Sequence, residues 1–231
     1  NTFKSGGSAG TVGKFVSKYA GSKGNSLKVS TCASSDAYFN DAVTTTGGAE
    51  AIGQTTITVA ASNVFVLRDI IKFAGHSTEY RVLTAPSGTT ITIEALDQPA
   101  GTGLTSAVAN GANIDRFWEH HGLFNKAPGK SASALAAGGS NDEIHVVVLD
   151  EDGVFTGKTH SVLETFGFLS LASDGKDSQG ASNYYKNVLE TKSEYVYWSG
   201  HSTGTHAGAA VEKDHAASVG AAFGQPSSPD N

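Results

Sequence analysis

Apolar residues along this chain gather in short runs separated by Gly, Ser and Thr, and few of them recur at helical spacing. Ile144, Val146, Val147, Val148 and Leu149 form a nearly continuous apolar stretch closed by Asp150-Glu151-Asp152-Gly153. That is the pattern of a buried strand ending in a tight turn. A second strand-like run extends from Val154 through Val162 and Leu163 to Phe166, which predicts a β-hairpin. After the polar, glycine-broken stretch 173–180 come Tyr184, Tyr185, Val188 and Leu189, whose spacing marks one face of a short helix. Ser193-Glu194-Tyr195-Val196-Tyr197-Trp198, aromatic and β-branched, reads as a strand. The helix is expected to cover a sheet made by residues 144–149, 162–166 and 195–197, the one sizeable apolar face near it in sequence.

The first half of the chain has a different texture. Residues 1–13 are Gly/Ser-rich and read as a linker or loosely held arm. Gly21, Gly24 and Asn25 then introduce the strand-like Leu27-Lys28-Val29, and both glycines are expected to serve a turn that needs positive φ. Between residues 54 and 96 lie four strand-like runs, 55–59, 69–73, 79–83 and 90–94, separated by Gly, Ser or Pro turns. That regular spacing is the mark of a small barrel or sandwich. The expected organisation is an α+β host, residues 1–44 and 114–198, with a mixed sheet and one or two helices. It carries an inserted all-β module, 45–113, and is followed by a Gly/Ala/Ser-rich tail, 199–231, with a helix-like piece at 211–219.

Composition narrows the function. The chain has 231 residues, enough for one large or two small domains, and only 16% are charged, alongside 28 Gly. Such a sparsely charged, turn-rich surface suits a subunit covered by neighbours better than a free enzyme. The net charge of −6 gives no electrostatic footprint for nucleic acid, and Lys14, Lys18, Lys23 and Lys28 read as a solvated face. The one cysteine, Cys32, cannot close an internal disulfide and reads as a small buried residue. No run is apolar enough to span a bilayer, and no membrane insertion is expected. The Asn1 start and the Pro/Ser-rich end suggest part of a longer protein.

Candidate chemistry is thin. His120 and His121 are adjacent and point apart, while His201, His206 and His215 lie in a Gly/Thr-rich stretch without a rigid Cys, Asp or Glu companion. Counting from Asp150, a calcium loop would need an oxygen ligand where Val154 stands and a Glu where Ser161 stands. Neither Cys32 nor Ser199-Gly200-His201 has the context of an activated nucleophile, and the glycines at 21 and 24 lack the Lys-Ser/Thr of a phosphate loop. Asp142-Glu143 and Glu151-Asp152 are adjacent pairs expected on exposed turns, not converging in a pocket. No catalytic, cofactor-binding or metal-ligating residue is assigned, no cofactor is expected, and the chain is not read as an enzyme.

The order of the structural pieces carries a resemblance. Val147-Val148-Leu149-Asp150-Glu151-Asp152-Gly153 is followed by Val162-Leu163-Glu164-Thr165-Phe166, then by Ser170-Leu171-Ala172-Ser173-Asp174. Next come Gly180-Ala181-Ser182-Asn183-Tyr184-Tyr185-Lys186-Asn187-Val188 and Ser193-Glu194-Tyr195. In this order they resemble the middle region of the tail sheath proteins of T-even-like contractile-tailed bacteriophages, especially those infecting marine cyanobacteria. Tyr19-Ala20-Gly21-Ser22-Lys23-Gly24-Asn25-Ser26-Leu27-Lys28-Val29 is similar to a second sheath segment, at which the chain enters a strand. Within the insert, residues 69–82 and 91–103 resemble patterns of cyanophage sheaths that the better-known T-even sheath lacks.

The resemblance implies a structural subunit that surrounds a tail tube and contracts during genome ejection through the host envelope. It implies as partners copies of itself in a helical sheath and the tail tube protein, the latter mainly through domains beyond this stretch. The implied location is the virion, after assembly in the host bacterial cytoplasm. An alternative of another class is a β-rich carbohydrate-binding or adhesive module on a virion surface, motivated by an expected exposure of Tyr80, Phe117 and Trp118, since sugar rings stack on aromatic faces.

Overall fold

A computed structural model of the chain describes residues 15–199. The expected tail helix at 211–219, and His201, His206 and His215, lie outside them. The described elements run β1 (Phe15–Ser17), α1 (Ser22–Asn25), β2 (Leu27–Cys32), α2 (Ser35–Tyr38), β3 (Phe39–Thr45), β4 (Thr56–Thr58), β5 (Ile70–Phe73) and β6 (Tyr80–Val82). They continue with β7 (Thr90–Ala95), β8 (Asn113–Phe117), a 3-10 turn at His121–Leu123, α3 (Ala132–Ala136), β9 (Glu143–Asp150), β10 (Ser161–Ser170), α4 (Tyr185–Lys192) and β11 (Val196–Trp198).

The expected α+β class is corrected by this architecture. Strand accounts for 36% of the described residues and helix for 13%, and the strands form three antiparallel sheets instead of a mixed one. The reason lies in the chain's local chemistry. Its helix-competent stretches are bounded by Gly, Ser and Thr, so the described helices stop after four to eight residues. Helices this short are not stable by themselves and persist only where a sheet receives their apolar face. None of them is long and apolar enough to cross a membrane.

Two compact units divide the chain: residues up to Ser34 together with those from Pro128 onward (unit 1), and Ser35–Ala127 (unit 2). Unit 2 thus begins before the Thr45 and ends after the Asn113 that bound the insert in the sequence reading. The physical cause is pairing. β3 and β8 register Phe39 against Phe117 and Thr45 against Asn113, and β8 also pairs with β5, so residues on both sides of the expected boundary share one sheet.

In unit 1 the sheet order is β10-β9-β2, with β9 in the middle and all eight of its residues buried. Ile144 and Val146 of β9, Leu169 of β10 and Leu171 form one apolar cluster with Tyr184, Tyr185, Val188 and Leu189 of the α4 region. β11 pairs instead with β1, matching Val196 to Ser17 and Trp198 to Phe15, so the expectation that residues 195–197 join the β9 sheet is corrected. With β9 already flanked by β2 and β10, both of its hydrogen-bonding edges are taken. The expected tight turn after Asp150 is corrected as well: the hairpin is closed by the longer loop 151–160, and strand resumes at Ser161.

Gly21 has φ +72°, as a turn glycine should. Gly24 is needed for a different reason than positive φ: a Cβ there would collide with the Tyr19 carbonyl oxygen and with Ser17 Oγ.

Unit 2 holds a six-stranded antiparallel sheet in the order β3-β8-β5-β6-β7-β4. Alternation along β5, β6 and β7 turns Ile71, Phe73, Tyr80, Val82, Ile91 and Ile93 into one core with Ile57 and Ile114. Its terminal strands also meet: Thr46 bridges Val59, Gly47 N donates to Thr58 O at 2.9 Å, and Ala60 N donates to Thr45 O at 2.9 Å. Those bonds satisfy main-chain groups that an open sheet would leave at its edge.

Candidate functional site

The densest arrangement of charge among the described residues is at one end of the unit 2 sheet. β8 alternates, with Ile114 and Arg116 buried and Asp115 and Phe117 partly exposed. Alternation thereby carries a guanidinium inward beside the apolar Ile114. Arg116 and Asp69, the residue preceding β5, are both 0% exposed, with Nη1 and Oδ2 3.9 Å apart. Arg116 Nη2 donates to the Asp36 carbonyl at 2.5 Å. Asp69 Oδ2 accepts from Val66 N at 2.8 Å, whereas Oδ1 has no donor among the described residues. Burial pushes the Asp69 carboxyl up to about 7, against the pull of Arg116 and the Val66 N–H, and Glu119 adds to the rise.

Around this pair runs a partly exposed network. Glu119 Oε1 accepts from Arg68 Nε at 2.6 Å and lies 2.5 Å from the same guanidinium's Nη2. Arg81 reaches Glu94 at 3.3 Å and lies 3.9 Å from Glu119. Trp118, wholly buried, stacks on Phe124 at 5.6 Å between ring centroids and meets His120 edge-on at 5.3 Å.

Unit 1 has two buried carboxylates that gather loops, Asp142 and Asp150, and the expected exposure of Asp142 and Glu143 is corrected, since Glu143 opens the buried strand β9. Asp142 accepts from Ser131 N at 2.8 Å, Ser131 Oγ at 2.7 Å and Ser170 Oγ at 2.5 Å, tying the N-cap of α3 to the end of β10. Asp150 accepts from Ser26 Oγ at 2.6 Å, Phe155 N at 2.9 Å, Thr156 N at 2.8 Å and Thr156 Oγ1 at 2.9 Å. Burial alone would raise Asp150, but the bonds from Ser26, Thr156 and Phe155 outweigh it and hold the carboxyl at about 2.

Its folded pKa lies below the ordinary aspartate value of 3.8, so the stability it contributes is present above 3.8 and lost as pH falls through about 2. Unit 1 should therefore weaken between those limits. Trp198 fluorescence during urea unfolding should show the acid loss in the natural chain and a flatter profile in Asp150→Asn.

His120 Nε2 is 3.8 Å from Glu119 Oε2, and His121 Nδ1 is 2.9 Å from the Trp118 carbonyl oxygen, so the adjacent imidazoles have different neighbours. Among the described residues no group of three His, Cys, Asp or Glu side chains is placed to hold a metal ion. Cys32 is buried, its Sγ 3.5 Å from the Ser34 carbonyl oxygen. Lys18 donates to the Ser193 carbonyl at 2.5 Å and lies over the Tyr197 ring, while Lys28 is 3.4 Å from Glu151. These lysines are thus engaged separately.

Of the aromatic residues behind the glycan alternative, Tyr80 and Trp118 are fully buried, and their expected exposure is corrected. Phe117 is half-buried, 4.7 Å from the Phe39 ring and 5.0 Å from His121. Sequence reasoning passed over Asp69 and Arg116, although a charged residue at an inward position of a strand is a readable signal once the strand is known.

The fold and these clusters define a mostly-β protein of two units in which buried carboxylates anchor loops and strand ends. Searches against protein-family models, curated proteins and solved structures find no match for this chain.

Proposed function

We propose that this chain is part of a tail sheath subunit of a contractile-tailed bacteriophage. The observation that carries the reading is the ordered set of sequence pieces between residues 142 and 198. Those pieces occupy structural positions: the buried strand β9, the loop closed over Asp150, β10, and α4 with its apolar face on the sheet. Such a subunit works by packing, forming a helical array around a tube, and heterologous contacts that do not close on themselves produce arrays of this kind. Its partners would be copies of itself and the tail tube protein, and its place the virion. Energy for contraction would be stored in subunit contacts, with no nucleotide to hydrolyse. In the relatives it resembles, a middle domain of this kind faces outward on the cylinder.

The test is electron microscopy of the particle that carries this chain, decorated with antibody raised against the purified 231-residue protein. Periodic labelling along a contractile cylinder is expected. Labelling of fibres or capsid alone would overturn the reading and favour the adhesive alternative, for which a half-exposed Phe39, Phe117 and His121 ladder is the remaining structural motive.

A further inference from the structure

Asp69 is a carboxylate sealed from water inside unit 2, with 0% exposure. Its backbone is fixed on both sides, Val82 N donating to Asp69 O at 2.9 Å and Asp69 N to Val66 O at 3.2 Å. The main chain that carries the buried side chain is therefore tied to β6 and to the turn before β5. One carboxyl oxygen takes the Val66 N–H, the other takes no donor among the described residues, and the ion pair with Arg116 is longer than a hydrogen bond at 3.9 Å. An ionised carboxylate so poorly compensated is costly to bury, whereas the neutral acid is much less so.

Several charged and titratable groups gather at this end of the sheet. Arg116 of β8 and Glu119 act on Asp69 directly, while Arg68, Arg81 of β6 and His120 lie against Glu119 and the Asp36 carbonyl of α2 holds Arg116. The Arg68 guanidinium is already committed to Glu119, whose negative charge disfavours a second carboxylate nearby.

We infer that Asp69 is a buried proton-binding group that makes unit 2 hold together more tightly at mildly acidic than at mildly alkaline pH. The inference is independent of the sheath reading. Burial raises the folded carboxyl to about 7, while an unfolded aspartate titrates near 3.8. The folded unit thus binds the proton more tightly. This contribution is complete below 3.8 and is lost as pH rises through about 7. For one such group the ratio of folded to unfolded unit 2 falls about tenfold between pH 6 and pH 8.

Two measurements on the whole chain test this. In carboxyl-carbon NMR the Asp69 resonance should titrate near neutrality, and a midpoint near the ordinary aspartate value would overturn the inference. Hydrogen exchange of β5 and β8 amides, corrected for intrinsic chemistry, should show openings about tenfold more frequent at pH 8 than at pH 6. In Asp69→Asn that difference should vanish. Its persistence there would assign the pH response to another group and sink the proposal. Should Asp69→Asn fail to fold, the NMR titration of the natural chain decides by itself.

Discussion

Leu189→Ala should destabilise unit 1 by about 2 to 5 kcal/mol, the range for truncating a buried leucine that leaves a cavity. Leu189 is 0% exposed and shares a cluster with Ile144, Val146, Leu169, Tyr184, Tyr185 and Val188. α4 spans only Tyr185–Lys192, too short to persist without that cluster, so the substitution removes the contact that keeps the helix formed. Trp198 reports the event, because its Nε1 donates to Tyr185 Oη at 2.9 Å and its ring packs against the same cluster. Urea unfolding followed by Trp198 fluorescence should show the midpoint fall. Leu135→Ala, at a side chain 60% exposed, should leave it nearly unchanged. A loss under about 1 kcal/mol at Leu189 would mean that the α4 face is not what holds unit 1 together.

The second large effect is expected at Arg116. Removing one member of a buried pair leaves its partner's charge uncompensated, at a cost of about 3 to 5 kcal/mol. Arg116→Ala should cost unit 2 that much, with lost packing and the lost bond to the Asp36 carbonyl included. Because Asp69 can accept a proton, the loss should be smaller at pH 6 than at pH 8. Adding Asp69→Asn should cost less than the sum of the two single changes. Unfolding followed by Trp118, buried in the same end of unit 2, measures both statements. Equal losses at the two pH values, or strict additivity, would show that the pair is not electrostatically coupled.

How far the chain could be read without coordinates differed between its parts. The runs at 55–59, 69–73, 79–83 and 90–94 contain β4, β5 and β6 and most of β7, because alternating Ile, Val, Phe and Tyr against Thr and Lys is a local signal. Residues 144–149 and the Tyr184 to Leu189 face are legible for the same reason. β3 and β8 are not, since Phe39-Asn40-Asp41 and Asn113-Ile114-Asp115-Arg116-Phe117 place polar residues where a strand template asks for apolar ones. They become strands by pairing, β3 with β8 and β8 also with β5, an event between segments far apart in the chain.

Loop 151–160 shows the same division within a few residues. Asp150-Glu151-Asp152-Gly153 announces a reversal, but its length depends on Asp150 drawing Phe155 and Thr156 onto one carboxylate while Ser26, from before β2, occupies the other oxygen. The Asp69 and Arg116 pair is the furthest from view. Both residues are ordinary surface types in a sequence, and burial follows only when β8 enters the sheet beside β5 with Arg116 turned inward. Sequence by itself determined the local alternation, the turn at Gly21 and the apolar face of α4, because these depend on neighbours a few residues away. Tertiary structure alone decided the strand partners, the limits of the two units and which charges lost their water, because each depends on contacts between distant segments whose energy no local pattern encodes.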